Sequence, residues 1–306
     1  MEMIAGGDAA HTRCGFVALI GAPNAGKSTL LNQLVGSKIS IVTHKVQTTR
    51  ARIRAIALEG NTQIIFVDTP GIFAPKRKLD EEMVAAAWAG AAEADATVLL
   101  IDARDGLNEA NRAIVEGLEK ANLKVMLAIN KIDTVPREKL LLLADELNKL
   151  YPFTDTFMIS AMKGHGVQDL KQTLADRMPP GPWLYPEDQV ADLPLRMLAA
   201  EITREKLFLR LHDELPYAST VETETWQERK DGSVRIEQVV FVERDSQKKI
   251  VLGKNGQTIK AIGQAARTEI AEALGQKVHL FLFVKVREKW AEDPERLRMM
   301  GLDPSR

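Results

Sequence analysis

The chain has 306 residues, 45% of them hydrophobic, with 41 basic and 42 acidic side chains and a formal net charge of −1. That length allows two domains, each with its own core, and ordinary apolar content at near-zero charge excludes a wholly disordered chain. Cys14 is the single cysteine, which excludes an internal disulfide framework. The first twelve residues hold Glu2 and Asp8 but no lysine or arginine, so they read as a frayed lead-in rather than a signal peptide. The best candidate membrane span, 83–101, is rich in alanine and broken by Glu93 and Asp95, so no span is expected and the expected location is cytoplasmic.

In chain order, short apolar runs at 16–20, 63–67, 97–102, 125–130 and 156–159 suit strands buried on both faces. The 50–58 run alternates as an edge strand does, and Gly60-Asn61 turns it back as a hairpin. Helical runs at 109–121, 137–151 and 167–177 separate the others. This alternation predicts an α/β domain with a mostly parallel sheet and helices on both faces. Met178-Pro179-Pro180-Gly181-Pro182 cannot continue a helix. The expected division is therefore a first domain over 13–180, a linker over 181–191, a second domain over 192–290 and a tail over 291–306. The second domain reads as helix 194–214, strand 218–227, a turn at Asp231-Gly232, strand 234–242, two helices around a Gly-Lys-Asn-Gly loop, and strand 278–286: a compact α+β fold.

The first domain carries the chemistry. Gly21-Ala22-Pro23-Asn24-Ala25-Gly26-Lys27-Ser28, followed by Thr29, matches G-x-x-x-x-G-K-S between a strand and a helix. Such a loop turns backbone amides toward phosphate oxygens and adds the positive end of the helix. Lys27 is expected to bridge the β- and γ-phosphates, and the Ser28 hydroxyl to ligate Mg²⁺. Asp68-Thr69-Pro70-Gly71 ends a strand; its aspartate suits a water on Mg²⁺, and the Gly71 amide suits the γ-phosphate. Ile72 follows where Ras-like proteins place a water-orienting glutamine, and it has no hydrogen-bonding group, so intrinsic hydrolysis is expected to be slow.

Asn130-Lys131-Ile132-Asp133 ends another strand and resembles the guanine-specificity motif of GTPases. The Asp133 carboxylate only accepts hydrogen bonds, and guanine offers N1–H and N2–H where adenine offers neither. Lys131 is expected along the base plane, Asn130 as a tie to the phosphate loop, and Ser160-Ala161-Met162 as the source of an amide near guanine O6. Thr48 and Thr49 lie where GTPases keep the threonine that completes the Mg²⁺ shell; Thr49, next to Arg50, is the favoured ligand, though spacing alone does not decide. Residues 13–178 thus look like a translation-factor-type GTPase domain. In relatives with an asparagine at position 24, K⁺ can stand in for an arginine finger, which makes Asn24 a candidate K⁺ ligand.

In the second domain, Gly253-Lys254-Asn255-Gly256 is a G-x-x-G loop between helices. Residues 246–290 hold nine basic against three acidic side chains, so the near-neutral total hides a local basic surface. The element order looks like a type II KH fold. Lys248, Lys249, Gly253, Lys254, Asn255, Gly256 and Lys260 are the candidate contacts to single-stranded RNA, through close backbone approach, helix-end amides and charge.

A GTPase domain followed by one type II KH domain resembles the Era family of bacterial ribosome-assembly GTPases, and stretches such as Gln47-Thr48-Thr49-Arg50, Asp68–Ile72, Asp192–Arg196 and Gly253–Gly256 carry the resemblance. It implies GTP as substrate, GDP as product, Mg²⁺, binding near the 3′ end of 16S ribosomal RNA, maturation of the small (30S) subunit, a monomer, and peripheral association with the inner membrane. The alternatives are an adaptor whose KH-like domain binds protein, which the basic loop disfavours, and a tRNA-modifying GTPase, whose C-terminal cysteine this chain lacks. His11, His44, His165, His212 and His279 show no metal-ligand spacing.

Overall fold

The computed structural model describes residues 12–43, 45, 48–50, 53–300 and 302. The lead-in before Thr12, His44, Gln47 and Arg52, and the end of the expected tail lie outside the described residues.

In chain order the elements are β1 (Arg13–Gly21), α1 (Lys27–Val35), β2 (Ile53–Glu59), β3 (Thr62–Asp68), α2 (Lys78–Glu93), β4 (Ala96–Asp102), α3 (Glu109–Ala121), β5 (Val125–Asn130), α4 (Arg137–Leu150), β6 (Thr156–Met158), α5 (Val167–Arg177) and β7 (Ala191–Asp192). The stretch weighed as a membrane span is the end of α2, a turn and β4. Among the described residues no helix is long and apolar enough to cross a membrane.

Contacts divide the chain into two units. The first comprises residues 1–39, 51–75 and 83–192. Its seven-stranded sheet runs β6-β5-β4-β1-β3-β2-β7. β3, β4, β5 and β6 join β1 in parallel, and β2 is antiparallel to both β3 and β7. One face of β1, β4 and β5 packs against Ala87 and Ala91 of α2, Ile114 and Leu118 of α3, and Leu140 and Leu147 of α4. α1 and α5 contact each other and β3. Because these parallel strands are apolar on both faces, their C-terminal ends are where the chain turns polar, and the candidate loops emerge there.

Two sequence expectations change here. β2 is not an edge: Ala191 and Asp192 pair with Ala55 and Arg54 outside it. The expected linker is also tied down, since Gln63 donates to Tyr185 O at 2.8 Å and accepts from the Leu184 amide at 2.9 Å. Buried Gln63 must find partners, and the proline-rich segment supplies them.

The second unit comprises residues 40–50, 76–82 and 193–306. It contains α6 (Leu195–Arg210), β8 (Ser219–Glu228), β9 (Val234–Val242), α7 (Asp245–Leu252), α8 (Gln257–Leu274), β10 (Val278–Val286) and α9 (Pro294–Met299). Its sheet runs β10-β9-β8, with β8 antiparallel and β10 parallel to β9. Leu207 and Phe208 of α6 pack with Val221, Val240, Val242 and Val251, while Ile236 packs with Ala266 and Ile270 of α8. The expected tail is part of this unit: Leu297 and Leu302 are buried, and Arg296 pairs with Glu222 and lies 4.0 Å over the Phe241 ring.

Candidate functional site

The phosphate-loop residues connect β1 to α1, and Gly26 caps the helix with φ 101°. A side chain there is excluded by space as well as conformation, because a Cβ would lie 2.2 Å from Asn130 Nδ2. Lys27 is buried, and its ammonium donates to Gly21 O and Ala22 O, each at 3.0 Å. Burial pushes it down to about 8, against the opposing pull of Asp68. Ser28 Oγ lies 3.3 Å from Asp68 Oδ2, and Asp68 is fully buried at the end of β3. This hydroxyl and carboxylate are hard oxygen donors, the set Mg²⁺ takes. Among the described residues no cluster of three or more His, Cys, Asp or Glu offers another metal site.

Thr69 Oγ1 donates to Leu19 O at 2.8 Å, and Gly71 passes so close to Pro23 that a Cβ would meet the Pro23 nitrogen at 3.0 Å. The Ile72 amide donates to Gly21 O at 3.0 Å and its side chain is buried in the core cluster. The backbone after Asp68 is thereby stitched to the phosphate loop, with Ile72 turned inward.

Asn130 is the hub of the base loop. Its Nδ2 donates to Ala25 O at 2.9 Å, and its Oδ1 accepts from the amides of Lys131 at 2.8 Å and Ala161 at 3.0 Å. Lys131, at φ 63°, donates from Nζ to Asn24 O and to Asp102 Oδ2, both at 2.7 Å. Asp133 sits in the 3-10 turn Ile132–Thr134, 3.3 Å from Lys163 Nζ. A hydrogen bond from Ser160, with help from Lys163, holds its carboxyl below the usual range, so it is an ionised acceptor. Of the amides expected near guanine O6, that of Ser160 donates to His165 O and that of Ala161 to Asn130. Both residues are buried, and a buried amide takes the partner in reach. Met162 is exposed.

Asp102 was not anticipated from the sequence. It ends β4 opposite Asn130, with its side chain 2% exposed. Burial would raise its carboxyl, but hydrogen bonds from Arg104 and Lys131 outweigh that and hold it at about 2. An acidic residue closing an apolar strand was the available signal.

Thr48 and Thr49 lie in segment 40–50, which clusters with the second unit. Thr48 Oγ1 donates to Lys45 O and bonds Thr43 Oγ1, each at 2.6 Å, and its carbonyl accepts from Arg204. Thr49 is buried. Lys45 donates to the carbonyls of Phe208 and Leu211 at the end of α6, where helix carbonyls lack partners. Arg50, expected at the start of an edge strand, is 2% exposed and donates to Ser219 O, Pro216 O and Tyr217 O.

In the second unit the Gly253–Gly256 loop joins α7 to α8. Gly253 has φ 71°, and a Cβ there would meet Thr258 Oγ1 at 2.1 Å. Asn255 has φ 51°, a conformation asparagine tolerates. Lys254, Asn255 and Lys260 are exposed, Lys249 is exposed on α7, and Lys248 is half-buried. Beside the loop, α8 and β10 flank an open groove of about 390 Å³, lined by Lys260, Gly263, Gln264, Arg267, Phe281 and Phe283 among others. Lys260, Gln264 and Arg267 share one helix face, a spacing of four and then three that the sequence itself carries. Among the described residues Lys254, Lys260 and Arg267 form no salt bridge, whereas Lys285 pairs with Glu224. Positive charge is therefore left for a ligand at the loop and this face.

Residues 16–131 match the family described as 50S ribosome-binding GTPase, and residues 214–291 match the KH domain. The GTPase Era of Brucella suis biovar 1 (strain 1330) is 65% identical over 301 residues, covering 98% of this chain and 97% of the relative. That of Rhizobium meliloti (strain 1021) is 65% identical over 295 residues, covering 96% and 94%. Among solved structures, Era in complex with MgGDPNP and nucleotides 1506–1542 of 16S ribosomal RNA aligns with a TM-score of 0.90 at 40% identity, covering 96% of this chain and all of that one, 100%. A point variant of Aquifex aeolicus Era bound to GDP and AlF4⁻ aligns with a TM-score of 0.90 at 39% identity, covering 95% and 100%.

Proposed function

Because the chain belongs to the Era family of GTPases, we propose that it is a GTP-hydrolysing switch that engages 16S ribosomal RNA near its 3′ end and assists maturation of the small ribosomal subunit. The observation that carries the reading is that Lys27, Ser28, Asp68, Asn130 and Asp133 all follow or end parallel strands of one sheet at their C-terminal edge, in one chain with a basic groove beside a G-x-x-G loop.

The site residues divide the work. Asp133 accepts from guanine N1–H and N2–H, and Lys131 and Asn130 hold its loop against the phosphate loop. The loop residues Gly21–Ser28 and Thr29 cradle the phosphates, and Lys27 exchanges its two loop carbonyls for β- and γ-phosphate oxygens. Ser28, and Asp68 through water, would hold Mg²⁺, which would supply positive charge to offset that of the phosphates. Gly71 offers its amide to the γ-phosphate, and the segment with Thr48 and Thr49 closes the shell in the GTP state. Thr49 remains the preferred ligand.

Segment 40–50 is anchored to α6 by Lys45 and by the Glu205 carboxylate, which accepts from the Val42 amide at 2.9 Å. With Ile72 in the core, no side chain at that position orients the attacking water. Asn24, at φ 65° with Lys131 on its carbonyl, is the residue that would hold K⁺ in this reading, and the ion would supply the positive charge that an arginine finger gives elsewhere. Turnover in KCl is expected to exceed that in NaCl at equal ionic strength; equal rates would remove K⁺ from the mechanism.

Lys248, Lys249, Gly253–Gly256 and Lys260 form the RNA contact, with Gln264 and Arg267 added from the groove. The family reading extends to a monomer bound to the 30S subunit and peripherally to the inner membrane, each testable by co-sedimentation. Crosslinking to total RNA with GTP or GDP, followed by sequencing, tests the whole proposal. Enrichment of the 16S 3′ end is expected with GTP and is lost in Lys254→Asp/Asn255→Asp, with GTP hydrolysis retained. No RNA enrichment in either state overturns the RNA reading in favour of a protein-binding adaptor.

A further inference from the structure

Lys131 is placed to face the base, yet its ammonium is held by two protein acceptors, Asn24 O and Asp102 Oδ2, both at 2.7 Å. Its backbone occupies the left-handed region at φ 63°, which residues other than glycine seldom adopt without a restraint. It also starts the 3-10 turn that carries Asp133. A force on the Lys131 ammonium therefore acts on the phosphate loop through Asn24 and on the base-reading carboxylate through the turn.

That force comes from Asp102. Its side chain is 2% exposed, and it sits opposite Asn130 in the β4–β5 register, so both members of this pair grip the Asn130-Lys131 corner. Leaving a carboxylate at the end of a buried strand is costly unless it is paired. The partners are Lys131 on one side and Arg104 on the other, the latter donating from its amide at 3.0 Å and from Nε and Nη2 at 3.1 and 2.6 Å. Arg104 is exposed and its guanidinium bonds the Asp102 carboxylate two residues back, whereas Lys131 leads into the site.

We propose that Asp102 is a positioning residue for guanine-nucleotide retention: its charge fixes the Lys131 ammonium between the two loops, holding the turn so that Asp133 stays in register with the base. This rests on the reading of Asn130–Asp133 as the guanine-binding segment. The alternative is that Asp102 serves only to fold the turn after β4 through Arg104.

Stopped-flow dissociation of a fluorescent GDP analogue from the full chain with Mg²⁺ separates them. Asp102→Asn is expected to release nucleotide about ten- to a hundredfold faster, the range for loss of one charge-assisted hydrogen bond. Lys131→Met should do the same or more, and adding Asp102→Asn to it should change the rate by less than about twofold. Asp102→Glu, which keeps the charge, should restore much of the slow release, and Arg104→Met should stay within about twofold of the wild type, because the Arg104 side chain is exposed and an exposed ion pair contributes little. Should Asp102→Asn not fold, Asp102→Ser removes the charge with a small polar group. Multiplying effects of the Asp102 and Lys131 substitutions, or an Arg104→Met that reproduces Asp102→Asn, would overturn the proposal. A wild-type chain that fails to bind the analogue would instead overturn the guanine reading.

Discussion

Replacing Arg50 by alanine should unfold the second unit at markedly lower denaturant. Its guanidinium donates to Ser219 O at 2.8 Å, shares one nitrogen between Pro216 O and Tyr217 O at 3.3 Å, and lies 5.4 Å over Phe208 and 5.5 Å over Trp290. The short bond contributes about 1.5–3 kcal/mol and the shared pair about as much together. The two aromatic faces add about 1–2 kcal/mol. Against this stands desolvation of the cation, several kcal/mol, worsened because Nε is buried without an acceptor and Arg204 also lies over Phe208, 5.1 Å from its ring.

Truncation removes the favourable terms and leaves three carbonyls facing a cavity, so the net loss should be about 3–5 kcal/mol, the range for removing one partner from a buried ionic cluster. Arg50→Met keeps the apolar stem and removes the desolvation cost, so it should lose only about 1–2 kcal/mol. Urea unfolding of the full chain, followed by tryptophan fluorescence, to which Trp290 beside the guanidinium contributes, reads the difference. A loss below about 1 kcal/mol for Arg50→Ala, or methionine doing worse than alanine, would refute the reasoning.

Gly26→Ala should weaken GDP binding by at least about tenfold, because the new methyl displaces Asn130 and strains a positive φ; titration calorimetry checks it. Asp133→Asn exchanges an acceptor for a group that can also donate, so guanine should lose preference to xanthine by about a hundredfold or more in competition binding. Ending the chain at Lys289 should cost the second unit at least about 3 kcal/mol in urea unfolding, since it removes buried Trp290, with its hydrogen bond to Ala218 O at 3.0 Å, and leaves Phe241 without Arg296.

Legibility in the sequence follows range. The phosphate loop, Asp68–Gly71 and Asn130–Asp133 could be read because each motif is contiguous and sits where a buried apolar strand ends, a boundary that hydrophobicity marks by itself. β9, β10, α3 and α5 fall where periodicity puts them. What could not be read depends on partners far along the chain. Arg50 looks like a strand residue until Ser219 is beside it, and residues 291–302 look like a tail until Phe241 needs a cover. Two-residue β7 has no pattern to detect, yet it turns β2 from an edge into an interior strand. Asp102 falls between these cases, its position visible and its partners not.

Ile72 shows how the two kinds of information combine. The sequence establishes that no glutamine follows Gly71, which alone suggests that restoring one would restore water orientation. The structure argues otherwise. The Ile72 amide is bound to Gly21 O, and its side chain packs with Ala18, Ile20, Ala22 and Ala87. A glutamine there would bury an amide among methyl groups with no partner, a cost of about 1–3 kcal/mol, and relieving that cost means breaking the stitch between Ile72 and Gly21. Ile72→Gln should therefore lower stability and GTP turnover together, the opposite of what the sequence comparison with Ras-like proteins suggests by itself.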